Sequence, residues 1–175
     1  MKSMGLPRRG CLSGTAALAA VLLLQACNQV TPQPVQASGS TLCLSNFERC
    51  VNPILDAAIN SRTGPVTCSA AGCHSQASGS GGAFKIFPNP APGSNESLAN
   101  FFAARAFANL DNPPTSRLLQ KPDADSVPHA GGDIFPNSSD ACHSAIQRWI
   151  SERVDTENSA ACSSCTVVAA SSCGF

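Results

Sequence analysis

The 175 residues include 11 basic and 11 acidic side chains, ten cysteines, one tryptophan and no tyrosine, and only 13% are charged. No basic block exists, so binding of nucleic acid has nothing to stand on. The length suffices for one domain built around one core.

In chain order, Lys2, Arg8 and Arg9 form a basic start, and residues 15–24 form an apolar run too short to span a bilayer comfortably. That pattern predicts a signal peptide over residues 1–26. The end of the run, Leu24-Gln25-Ala26-Cys27, resembles the bacterial lipobox, which implies cleavage before Cys27 and diacylation of its sulfur. Asn28 follows where an aspartate would retain the protein at the inner membrane, so the resemblance implies an outer-membrane lipoprotein facing the periplasm of a Gram-negative bacterium. Arg8-Arg9 also hints at a twin-arginine signal, although Gly10-Cys11-Leu12 fits that consensus poorly. Cleavage removes three basic side chains and no acid, leaving 8 basic and 11 acidic residues, a net charge of −3. Residues 27–42 read as a lipidated flexible linker, rich in Pro, Gln, Ser and Thr, and the folded domain is expected over 43–175.

A first helix is predicted to open at Ser45, with Ser45 and Glu48 spaced as a capping box. Phe47, Val51, Ile54, Leu55 and Ile59 recur on one face of it, and Pro53 either kinks it or starts a second helix. Residues 61–95 read as a long loop, of a length that usually carries a function or a cofactor. A second helix is expected from about Asn95 to Leu110, stopped by Pro113-Pro114, and a short helical turn follows at Leu118 and Leu119. The last helix starts after Ser138-Ser139-Asp140 and aligns Ile146, Trp149, Ile150 and Val154. No alternating run makes a strand. The expected fold class is mainly α: a small helical domain with long loops, stapled by disulfides.

Cys11 leaves with the signal and Cys27 takes the lipid, so eight cysteines remain for the domain. Disulfides are their default fate in an exported protein. Cys43 and Cys50 are separated by a helix start, so neither need be the other's partner. Cys162 and Cys165 are followed by Thr166 rather than histidine, which points to a staple for the small-residue tail and not to a haem. Residues 68–74 differ, reading Cys-Ser-Ala-Ala-Gly-Cys-His. Covalent haem attachment needs two thiols for the two vinyl groups and a histidine beside the second thiol to ligate iron. Here four residues separate the thiols instead of the usual two. Alternatives are a local Cys68–Cys73 disulfide with His74 incidental, and a zinc site built on Cys68, Cys73 and His74.

The chain resembles bacterial cytochrome c-like lipoproteins in which a helix ending near Val-x-Pro-Ile-Leu leads into a Cys…Gly-Cys-His haem loop. The matching residues are Val51, Pro53, Ile54 and Leu55, then Cys68, Gly72, Cys73 and His74. Gly81-Gly82 follows, then a Ser-x-Leu-Leu-x-Lys-Pro turn at Ser116, Leu118, Leu119, Lys121 and Pro122. His129, Gly131 and Gly132 form a His-x-Gly-Gly motif, and Trp149-Ile150 closes the last helix. The resemblance covers about residues 45–155. It implies a cytochrome c-like domain with one haem c, bound through Cys68 and Cys73 with His74 as proximal iron ligand. The implied role is electron carriage between redox protein partners, without catalysis of its own.

Both methionines, Met1 and Met4, lie in the signal, so the thioether ligand common in cytochromes c is lacking after cleavage. His129 and His143 are the remaining candidates for the sixth position, which otherwise stays open. His129 is expected to fill it, because its Val-Pro-His-Ala-Gly-Gly loop allows close approach to a flat ring. His143 is otherwise a surface or capping residue. Phe84, Phe87, Phe101, Phe102 and Phe135 are expected around the haem, unless they simply form the core. A bis-histidine iron has a lower potential than a methionine-ligated one. The competing expectation is a haem-free, disulfide-stapled lipoprotein serving as a binding or structural module. The electron donor and acceptor, and the oligomeric state, are not legible.

Overall fold

The computed structural model describes residues 41–124 and 126–175. The signal peptide, Cys27 and all but the end of the linker lie outside the described residues. What is described is a small, mostly helical domain with long loops, a few short strands and three disulfides.

The first helix, α1, runs without a break through Leu44–Asn46, a wide π-type segment at Phe47–Val51, and Asn52–Asp56. Pro53 occupies the first turn of the last piece. Proline lacks an N–H and crowds the carbonyl four residues back, and a widened turn just before it relieves both problems. The capping box is not formed. Cys43 stands at the N-cap with no side-chain bond, and the Glu48 carboxylate instead accepts from the Gly93 N–H at 2.8 Å and the Ser97 hydroxyl at 2.9 Å. Glu48 is thus spent on holding a distant loop against the helix.

Ile59 does not continue the helical face. It starts β2, Ile59–Ser61, which pairs antiparallel with β3, Gly64–Val66, so that Ile59 faces Val66. β1, Thr41–Leu42, pairs with β4, Arg153–Val154, and joins the two ends of the helical core. Val154 therefore sits on a strand, not on the last helix. The expectation of no strands is corrected by these four. At two or three residues each they are too short to display an alternating pattern.

The second helix, α2, spans Asn95–Ala106 and is capped by Ser94, whose hydroxyl accepts from the Ser97 N–H. Pro113–Thr115 forms a 3-10 turn, and α3, Arg117–Gln120, follows it. The last helix, α4, Ala141–Ser151, begins as expected. One oxygen of Asp140 accepts from the N–H groups of Cys142 (2.9 Å) and His143 (3.1 Å), and the other accepts from Gly174 (2.8 Å). The aromatic heart of the core is Phe47, Phe101 and Trp149, with ring centroids 5.2 to 6.0 Å apart. The indole N–H of Trp149 is satisfied by the Cys43 carbonyl at 3.0 Å.

The loop from 67 to 94 is pinned from below by Asn100, which is wholly buried. Its carbonyl accepts the Phe87 N–H at 2.7 Å, and its amide donates to the Phe87 carbonyl (2.8 Å) and to Asn52 (2.9 Å). Replacing Asn100 by leucine orphans the buried Asn52 amide oxygen and the half-buried backbone groups of Phe87. Urea unfolding of Asn100→Leu is expected to show a loss of about 3 kcal/mol.

The tail is stapled as expected. Cys43 bonds Cys162, Cys50 bonds Cys165 and Cys142 bonds Cys173. Two of these bonds fasten the Cys-x-x-Cys segment to α1, and the third fastens the end of the chain to α4. Cys68 and Cys73 stay free thiols.

Candidate functional site

After β3 the chain coils tightly. The Ala70 N–H bonds the Thr67 carbonyl, the Cys73 N–H that of Ala70, and the His74 N–H that of Cys68 at 2.9 Å. The four residues between the thiols are consumed in these turns, so Cys68 and Cys73 both end on the wall of one cavity of about 530 Å³. Gly72, at φ 84°, makes the left-handed step that a side chain would resist. Ser69 anchors the coil by donating to the Leu55 carbonyl at the end of α1.

His74 leaves this coil on a rigid mount. Its backbone carbonyl accepts from the Ile86 N–H at 2.8 Å, and the Gln76 N–H reaches the Ile86 carbonyl at 2.7 Å. On the ring, Nδ1 lies 2.9 Å from the Phe84 carbonyl. A carbonyl only accepts, so Nδ1 carries the proton and Nε2 keeps its lone pair free. Burial, the largest influence, pulls the imidazole below its ordinary range and keeps it neutral. A side chain at Gly81 would overlap the imidazole, so glycine there is what lets the ring lie flat against the backbone.

His129 repeats the arrangement on the wall of the same cavity. The Pro122 carbonyl accepts from both Ile134 and Phe135, closing the base of the loop, and Lys121 Nζ ties the Pro128 carbonyl at 2.7 Å. The His129 Nδ1 lies 3.1 Å from the Gly132 carbonyl, which fixes the same tautomer. A Cβ at Gly131 would come within 2.9 Å of the His129 ring. In each Gly-Gly pair the first glycine makes room for an imidazole, and the second, Gly82 (φ 66°) or Gly132 (φ 80°), turns the chain. The two rings are parallel within 12°, with centroids 5.9 Å apart.

The interior of the cavity is apolar. Phe84 and Phe135 line it as expected, with Phe107, Leu118, Ile134 and Ile146 besides. Three of the anticipated phenylalanines do not line it. Phe101 belongs to the core, Phe102 is 47% exposed, and Phe87 serves the Asn100 clasp through its backbone. Phe107 carries no local sequence signal, because it caps α2 beyond its apolar residues. His143 is neither on the surface nor in the cavity. It is 3% exposed, packs edge-on against Phe135 at 5.9 Å, and is held below its ordinary pKa by burial.

Among the described residues, Cys68, Cys73 and His74 do not gather their ligand atoms into a compact trio. Among the described residues, the one trio of histidine, cysteine or carboxylate ligand atoms within 4.8 Å of each other is Asp140, Cys142 and Cys173, two of which share a disulfide. Burial, with the nearby Cys73 and Asp56 charges adding to it, pushes the Cys68 thiol up to about 12. Comparison with known proteins finds no matching protein family, no matching curated protein and no matching solved structure.

Proposed function

We propose that the chain is a monohaem c-type cytochrome with a cytochrome c-like fold, tethered to the outer membrane through Cys27 and passing single electrons between periplasmic redox proteins. One observation carries the reading: two parallel imidazoles, each with Nδ1 held by a backbone carbonyl, stand 5.9 Å apart across a cavity walled by two free thiols. Two metal–nitrogen bonds end to end span about 4 Å, and the ring radii at each end bring the centroid separation to about 6 Å. The apolar lining and the unpaired thiols fit a porphyrin bound at its two vinyl groups. Three disulfides staple the domain without Cys68 and Cys73, which leaves both thiols free on the cavity wall.

Haem c, when bound, supplies the one-electron exchange between ferric and ferrous iron. The chain supplies the rest. Cys68 and Cys73 would hold the group covalently, and His74 and His129 would offer it their Nε2 atoms. The carbonyls of Phe84 and Gly132 orient those rings. Phe84, Phe107 and Ile146 exclude water, and a rigid mount for both histidines keeps reorganisation small between oxidation states.

No helix among the described residues is long and apolar enough to cross a membrane, and the proposed attachment is the lipid on Cys27. The test is expression alongside a haem-attachment system, followed by peroxidase staining after denaturing electrophoresis. The wild-type band is expected to stain, and the Cys68→Ala/Cys73→Ala double variant to lose the stain. An unstained wild-type band returns the chain to a haem-free, disulfide-stapled lipoprotein.

A further inference from the structure

Among the described residues, the charged side chains on the wall of the cavity are of one sign: Arg117 and Lys121 line it, and no described aspartate or glutamate does. The sequence runs the other way, since the chain expected after cleavage has more acids than bases. Arg117 opens α3 and Lys121 caps its end, so the two stand one helical turn apart on the same side. Arg117 has no hydrogen-bond or ion-pair partner among the described residues, whereas Arg62 is paired with Asp133 and Arg49 with Asn46. Lys121 gives one N–H to the Pro128 carbonyl and keeps two donors in hand.

Building on the haem reading, we propose that Arg117 and Lys121 receive the two propionate carboxylates of the porphyrin at the mouth of the cavity. A porphyrin with two ionised carboxylates cannot bury them among Phe84, Phe107 and Ile134 without a severe desolvation cost, so the charged edge must face outward. Two cations one turn apart at an apolar opening are the complement of two carboxylates on one edge of a flat ring. The guanidinium offers a paired-donor fork for one carboxylate and the ammonium a point charge for the other. The tie from Lys121 to Pro128 places this contact beside the loop that carries His129, so one end of the porphyrin and one iron ligand are positioned by neighbouring residues. Arg117 and Lys121 are in this sense positioning residues.

The experiment is redox titration of the haem-loaded protein at several pH values around neutrality, for wild type, Arg117→Gln, Lys121→Gln and Arg117→Lys. A propionate paired with a cation stays ionised throughout that range, so the wild-type midpoint potential is expected to be flat. Without the cation its ionisation moves up into the range, and ferric iron favours the ionised form more than ferrous iron does. The Gln variants are therefore expected to show a lower potential at high pH and a fall with rising pH. Arg117→Lys is expected to restore the flat profile. Haem-loaded Gln variants that superimpose on wild type at every pH overturn the assignment of Arg117 and Lys121 alone. A wild-type chain that takes up no covalent haem overturns the cytochrome reading beneath it.

Discussion

His129→Ala is expected to turn a protein that ignores carbon monoxide into one that binds it. In wild type the His129 ring stands parallel to that of His74 with its Nδ1 tied to the Gly132 carbonyl, so the ring is already ordered and little further ordering is needed for ligation. Both methionines fall in the expected signal peptide, and His143 packs against Phe135 outside the cavity, so no other histidine or methionine among the described residues lines it. Reduced wild-type protein exposed to carbon monoxide should keep its absorption spectrum, and the reduced alanine variant should shift completely. The variant should also remain folded, because the loop is closed at its base by Pro122 and not by the imidazole. Ready binding by wild type rejects His129 as the sixth ligand.

The second large effect concerns the staples, and it is cooperative. Cys43–Cys162 and Cys50–Cys165 span 119 and 115 residues and close nearly the same loop. With one bond in place, the other closes only a ring of about ten residues, the seven steps from Cys43 to Cys50 and the three from Cys162 to Cys165. Chain entropy then predicts that removing either pair, as serines, costs about 2–3 kcal/mol, while removing both costs about 7 kcal/mol. A loss of that size rivals the whole stability of a domain this small. Urea unfolding of the two single-bridge variants and the double variant should show the excess over additivity. Additive losses mean the two bonds do not share a loop in the unfolded chain.

How far the sequence leads depends on whether a signal is local. The last helix is legible because Asp140 and the Ile146, Trp149, Ile150 face lie within a few residues, and its side-chain cap forms at the expected place. Ser45 and Glu48 mislead for the opposite reason. Their spacing suits a cap, but Glu48 is drawn to the N–H of Gly93, 45 residues away. The strands are too short to carry a pattern, and disulfide partners 119 residues apart leave none at all. At the site, Cys68, Cys73, His74 and His129 meet on one cavity, and each is marked by a compact motif. The aromatic lining is less legible, since composition says which rings exist and not which way a helix turns them. Phe101 and Phe102 are adjacent in α2 and end in the core and at the surface. The glycines of the two Gly-Gly pairs are the instructive case. The sequence around Gly131-Gly132 suggests close approach of the backbone to a flat ring, and the ring that Gly131, like Gly81, accommodates is the neighbouring histidine's own imidazole.

The most direct measurement is mass and absorbance of one peptide. Trypsin should release residues 63–85, bounded by Arg62 and Lys85, with Cys68, Cys73 and His74 inside. From protein matured with haem-attachment machinery, that peptide is expected to carry porphyrin absorbance and the mass of haem joined through two thioethers. Recovery of the same peptide without porphyrin and two hydrogens lighter, as an internal disulfide, would contradict the account.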